Sequence, residues 1–169
     1  MTDVVVEGDD LVHLAARLLW NLSYSVDGLA AMKALGLHST LLAVLPVLPD
    51  VALVFALQLA DRLLAVCGNP PTSGRWLTAA IARLATALQA AEHEAEKDDA
   101  MAALSVLAMP LLQLVDRLVA TSGEIDKLQD VGQVLSRTDR VLGRQHPAAA
   151  LLSRVQRRLV AATISDELD

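Results

Sequence analysis

Leucine and alanine recur at three- and four-residue spacing through nearly all of the 169 residues, and the residues that strands prefer are thin. The aromatic set is Trp20, Tyr24, Phe55 and Trp76. Leucine and alanine are strong helix formers, whereas pleated sheets favour β-branched and aromatic side chains. An all-α fold is therefore expected. A chain of this length suffices for one ordinary core, or for about four 40-residue helical repeats, but not for two large independent domains. A single helical-repeat domain over 1–169 is the expectation, with a sub-boundary in the 68–74 loop.

Capping residues and breakers divide the chain into about eight helices. Asp9 and Asp10 precede a run with Leu11, Leu14, Ala15, Leu18 and Leu19 at helical spacing, predicting a first helix to about Ser23. Ser25 or Asp27 can cap a short second helix that Gly36 ends in the left-handed conformation. Ser39 or Thr40 then starts a third helix over 41–47, closed by Pro46 and Pro49. Asp50 caps a fourth, over 51–66, apolar on nearly every face until Asp61 and Arg62. Residues 68–74, Gly-Asn-Pro-Pro-Thr-Ser-Gly, cannot continue a helix. Two long helices are predicted at 75–96 and 98–120, the second kinked at Pro110. Helices over 125–142 and from Pro147 to about Thr163 complete the set.

The high apolar content raises the question of membrane insertion for residues 41–60 and 101–120. The first stretch contains Pro46, Pro49 and Asp50, the second Pro110, Gln113, Asp116 and Arg117. A spanning helix needs ~20 uninterrupted apolar residues, so no membrane span is expected. Cys67 is the single cysteine, which excludes an internal disulfide framework and fits a reducing, cytoplasmic setting. Residues 1–10 carry Asp3, Glu7, Asp9 and Asp10 where an export or mitochondrial signal needs basic residues.

The order long, short, medium, long helix across 10–67, with Gly36 after the short one, resembles an armadillo repeat. Leu18-Leu19-Trp20-Asn21-Leu22-Ser23 resembles the end of a third armadillo helix, Ala30 to Leu37 the short helix of the next repeat, and Leu41 to Leu45 its second helix. The run from Asp9 through Arg17-Leu18-Leu19-Trp20-Asn21-Leu22-Ser23 to Met32, Gly36-Leu37 and Leu45 is most similar to the kinesin-associated proteins, the armadillo accessory subunits of kinesin-II. The resemblance implies a right-handed α-solenoid, the leucines of the 18–23 segment packed inward, and an asparagine facing a concave groove. It also suggests kinesin-type motor or cargo proteins as partners. After Gly68 the period is lost and paired long helices take over, a pattern closer to HEAT repeats or to divergent capping helices.

In the armadillo reading the Asn21 amide, both donor and acceptor, grips an extended peptide backbone, with Trp20 as a flat wall beside it. The alternative is that Asn21 helps end a helix and Trp20 belongs to the core. Asn21-Leu22-Ser23 matches a glycosylation sequon but lies on an apolar helix without an export signal. Glu92, His93, Glu94, Glu96, Asp98 and Asp99 supply metal-ligand atoms, yet helical ligands belong three or four residues apart, and a solvated helix end is the preferred reading. His13, His38 and His146 form no catalytic order, and the 68–74 loop lacks the lysine-serine end and preceding strand of a phosphate loop. No enzyme, metal or cofactor is expected.

The net charge of −6 hides a segregation. Arg137, Arg140, Arg144, Arg154, Arg157 and Arg158 face the single acid Asp139 across 137–158. Their spacing places each trio on one helix face, and two such faces on an antiparallel pair could converge on an acidic peptide or helix, or on phosphate. The competing reading is a solvated surface paired with acids upstream. Few aromatics and an acidic total argue against nucleic acid. The expectation is a scaffold or adaptor for protein-protein interaction, the alternative a structural or oligomerising helical domain, and the remote alternative a helical metal protein or enzyme.

Overall fold

The computed structural model describes residues 8–67, 73–93, 97–121 and 128–166, and every regular element among them is helical. Two compact units divide at Gly68, residues 1–68 and 69–169.

The first unit comprises α1 (Gly8–Leu22), α2 (Val26–Ala34), α3 (Leu37–Val44), a 3-10 turn (Leu45–Val47) and α4 (Asp50–Cys67). Helix α4 is its hub, with α1, α2 and α3 all packed on it. The reason lies in its sequence: Ala52/Leu53, Ala56/Leu57, Leu59/Ala60 and Leu63/Leu64 recur one pair per turn, and all eight are buried. Each buried leucine contributes about 1.5–3 kcal/mol. Along one side of α1 an aromatic chain joins it to α4. His13 meets Phe55 edge-on at 5.3 Å, Phe55 lies 5.3 Å from Trp20, and Trp20 meets Tyr24 edge-on at 5.2 Å. The Arg62 guanidinium stands 3.9 Å above the Tyr24 ring.

The corner between α1 and α2 is tight. Ser25 is the α2 N-cap: its Oγ accepts from the Gly28 amide at 2.9 Å and donates to the Leu22 carbonyl at 3.1 Å. A Cβ on Gly28 would lie 2.2 Å from that same carbonyl oxygen, so only glycine fits. Gly36, at φ 66°, ends α2 in the left-handed region, and α3 begins at once at Leu37. The third helix thus starts four residues before the predicted 41, because Gly36 itself serves as its N-cap and Ser39 and Thr40 fall inside it. Pro46 lies within the 3-10 turn and Pro49 follows it, and the Pro49 carbonyl accepts from Ala52 and Leu53 to open α4. Lys33 donates to the Val66 carbonyl at 3.2 Å, satisfying an acceptor in the last turn of α4.

The second unit comprises α5 (Ser73–His93), α6 (Lys97–Thr121), α7 (Leu128–Leu142) and α8 (Ala149–Asp166). Residues 68–72, most of the predicted loop, and 125–127, the predicted start of the seventh helix, lie outside the described residues. Among the described residues, α5 packs on α6 and α7, and α8 packs on α6 and α7, with no comparable packing of α5 on α8 or of α6 on α7. Two hairpins therefore stack first helix on first and second on second. Trp76 of α5 is fully buried, and its indole Nε1 has no hydrogen-bond partner among the described residues. Helix α6 is the longest among the described residues and continues through a buried Pro110. Within it, residues 98–120 are long and apolar enough to cross a membrane, but 61% of that window is buried inside the structure, as in the core helix of a bundle.

Gly143, at φ 76°, stops α7, and the following turn places His146 so that its Nδ1 accepts the Ala148 amide at 3.1 Å. The last helix then begins at Ala149, two residues after the predicted Pro147 start, and extends to Asp166.

Candidate functional site

Asn21 lies in the last turn of α1 and is exposed, and its side-chain amide has no partner among the described residues. Its backbone carbonyl accepts from Tyr24, part of the turn that leads into α2. Trp20 is half-buried and committed to Phe55 and Tyr24, so one face belongs to the packing between α1 and α4. Tyr24 remains largely exposed beside it. Asn21 can offer a donor and an acceptor at the surface.

Three of the six arginines are engaged with acids of neighbouring helices. Arg137 is paired with Glu92 of α5. Arg154 and Arg158, one turn apart on α8, both reach Asp116 of α6, Arg154 Nη2 at 2.8 Å from Oδ2 and Arg158 Nη1 at 2.9 Å from Oδ1. Arg158 also donates to the Asp116 backbone carbonyl at 3.3 Å. Arg157 is exposed and donates through Nε to the Ser153 carbonyl at 3.3 Å. Arg140 and Arg144 are exposed without a partner among the described residues. Arg144 lies past Gly143, in the turn after α7, and so does not continue the helix face of Arg137 and Arg140: the left-handed glycine ends the periodicity that the spacing implied.

Of the acidic run, Glu94 and Glu96 fall outside the described residues. Glu92 is engaged by Arg137, and His93 Nδ1 donates to the Gln89 carbonyl at 3.2 Å. Among the described residues no group of three or more His, Cys, Asp or Glu side chains converges as a metal site would require.

Two features escaped the pattern reading. Asp116 is an acid inside an apolar run, and the arginines at 154 and 158 on a neighbouring helix were the available signal for its pairing. The larger miss concerns α1. Leu18, which the resemblance had packing inward, is 60% exposed, and Leu11 and Leu14 on the same side of the helix are 58% and 54% exposed. The residues that α1 turns toward α4 are His13, Ala16 and Trp20. Ala16 and Trp20 form a second apolar face, and that doubling was the signal that one face stays uncovered.

No family model matches this chain, and no curated protein or solved structure matches it either.

Proposed function

We propose that the chain is a non-catalytic protein-protein interaction scaffold or adaptor, built as a right-handed α-solenoid with an armadillo-like part before Gly68 and a HEAT-like part after it. The observation that carries this reading is the Asn21 amide, exposed and without a partner among the described residues, at the end of α1 beside Trp20 and Tyr24. Two further observations support it. Among the described residues, eleven of the thirteen exposed large apolar side chains lie in residues 8–67, which concentrates sticky surface on the first unit. The stacking of α7 on α5 and α8 on α6 supports it as well, since successive helical hairpins of a solenoid are expected to be neighbours in this way.

The partner takes the form of an extended peptide or a helix, with kinesin-type motor or cargo proteins suggested by the resemblance of residues 9–45. An acidic peptide suits Arg140 and Arg144, which are exposed and have no acidic partner among the described residues. A cytoplasmic setting without membrane span, nucleic acid or cofactor goes with this proposal.

The test is affinity capture with wild type beside Asn21→Ala and Arg140→Glu/Arg144→Glu. Loss of the same partner by one of these variants supports the proposal. Retention of every partner by both removes both surfaces from it. Reversal of Arg154 and Arg158 is a poor probe, because it would break the contacts to Asp116 along with any interface.

A further inference from the structure

We propose that the exposed leucine stripe of α1 is a homodimer interface, closed by an antiparallel α1 of a second copy across a two-fold axis at Leu14. The proposal goes beyond the scaffold reading and does not depend on it.

On a helix of 3.6 residues per turn, Leu11, Leu14 and Leu18 fall within roughly 60° of one another, while Ala16, the buried residue of α1, lies about 160° from Leu18. The stripe therefore points away from the unit's own core, and its three leucines are each more than half exposed. Such a row is the seam geometry of a helix pair.

The charges beside the stripe select the occupant. Asp10 and Arg17 are seven residues apart, so both lie on the same flank of the stripe, about 80° and 100° from Leu18. Both are exposed, and neither has a partner among the described residues. The opposite flank carries Val12, Ala15 and Leu19, with no charge. In an antiparallel symmetric pair, like flanks face each other. With the two-fold axis at Leu14, Asp10 of one copy sits level with residue 18 of the other, about 1.5 Å along the axis from its Arg17. Two reciprocal Asp10–Arg17 pairs then bracket a core of Leu11, Leu14 and Leu18 from each copy. A parallel pair would set the charged flank against the uncharged one and leave all four charges unmatched. This patch is thus complementary to itself, as an isologous interface requires.

One helix pair is smaller than the about 800 Å² per partner of a standard interface, so reversible association with a micromolar Kd is expected. The test is sedimentation of the full chain in reducing buffer, which keeps Cys67 from bridging copies. Wild type should pass from monomer to dimer across the micromolar range, and Leu14→Glu should weaken association by at least about a hundredfold. Asp10→Arg and Arg17→Asp should each weaken self-association by roughly tenfold, because like charges then meet at both pairs. Mixed one to one, these two variants should associate with each other at about wild-type strength, since every pair again joins opposite charges. All three substitutions are at exposed positions, and unchanged circular dichroism confirms that the variants fold.

A wild type that stays monomeric throughout overturns the proposal. So does a dimer that tolerates Leu14→Glu, or a pair of charge variants that fails to recover on mixing. A monomer that expands on Leu14→Glu would show the stripe covered by the chain itself, and also overturns it.

Discussion

The Arg154 guanidinium of α8 lies 2.8 Å from the Asp116 carboxylate of α6, whose side chain is only 12% exposed, and Arg158 approaches the same carboxylate from one turn further along. Two cations thus hold one largely buried anion and fix how α8 sits on α6. Asp116→Ala should destabilise the chain by about 1–3 kcal/mol, since it leaves two neighbouring guanidinium groups without their shared counter-charge. Arg154→Ala and Arg158→Ala, removing half-exposed groups, should each cost about 0.5–1 kcal/mol. The double arginine variant should exceed their sum, because only then is the carboxylate left without a cation. Urea unfolding followed by circular dichroism measures all four.

Gly28→Ala should cost about 2–4 kcal/mol, well beyond a helix-propensity effect, because its Cβ would collide with the backbone carbonyl of Leu22 rather than with a movable side chain. Thermal unfolding of this variant beside Gly132→Ala provides the contrast. Gly132 has nothing within 4 Å of its virtual Cβ, and there alanine should be neutral or mildly stabilising.

Gly143→Ala should destabilise by about 1–2 kcal/mol without any clash, since the cost arises from the left-handed backbone. His146→Ala, which removes the acceptor for the Ala148 amide, should cost about 0.5–1.5 kcal/mol. Both act on the hinge between α7 and α8, so chemical denaturation of the double variant reads their coupling.

Leu57→Ala should cost about 2–5 kcal/mol, whereas Leu18→Ala at a concentration that keeps the chain monomeric should change stability by less than about 0.5 kcal/mol. The two leucines are alike in sequence context, but one is fully buried and the other 60% exposed. Equal losses in thermal unfolding would show that Leu18 packs inward after all.

Helix positions were legible because their ends are written in capping chemistry. Ser25 caps α2, Gly36 stops it, and Pro46 and Pro49 separate α3 from α4, all by rules local to a few residues. Which way a helix faces is not local. Helix α1 carries leucines on one side and Ala16 with Trp20 on the other, and periodicity cannot say which side meets α4; the aromatic contacts of His13 and Trp20 with Phe55 decide it. The arginines show the same limit. Their spacing was visible, but the pairing of Arg137 with Glu92, 45 residues away, and of Arg154 and Arg158 with Asp116 depends on which helices stack. That Arg140 and Arg144 lack a partner among the described residues emerges only once those pairings are known.

The two indoles fall on opposite sides of Gly68, one per unit, in contrasting surroundings: Trp76 is sealed in its core, and Trp20 is half-buried beside an exposed tyrosine. The chain therefore carries a built-in pair of optical reporters. Trp20→Phe leaves only the short-wavelength emission of Trp76, which reddens when residues 69–169 unfold. Trp76→Phe leaves the solvent-sensitive emission of Trp20, which follows the α1 surface and any partner that covers it.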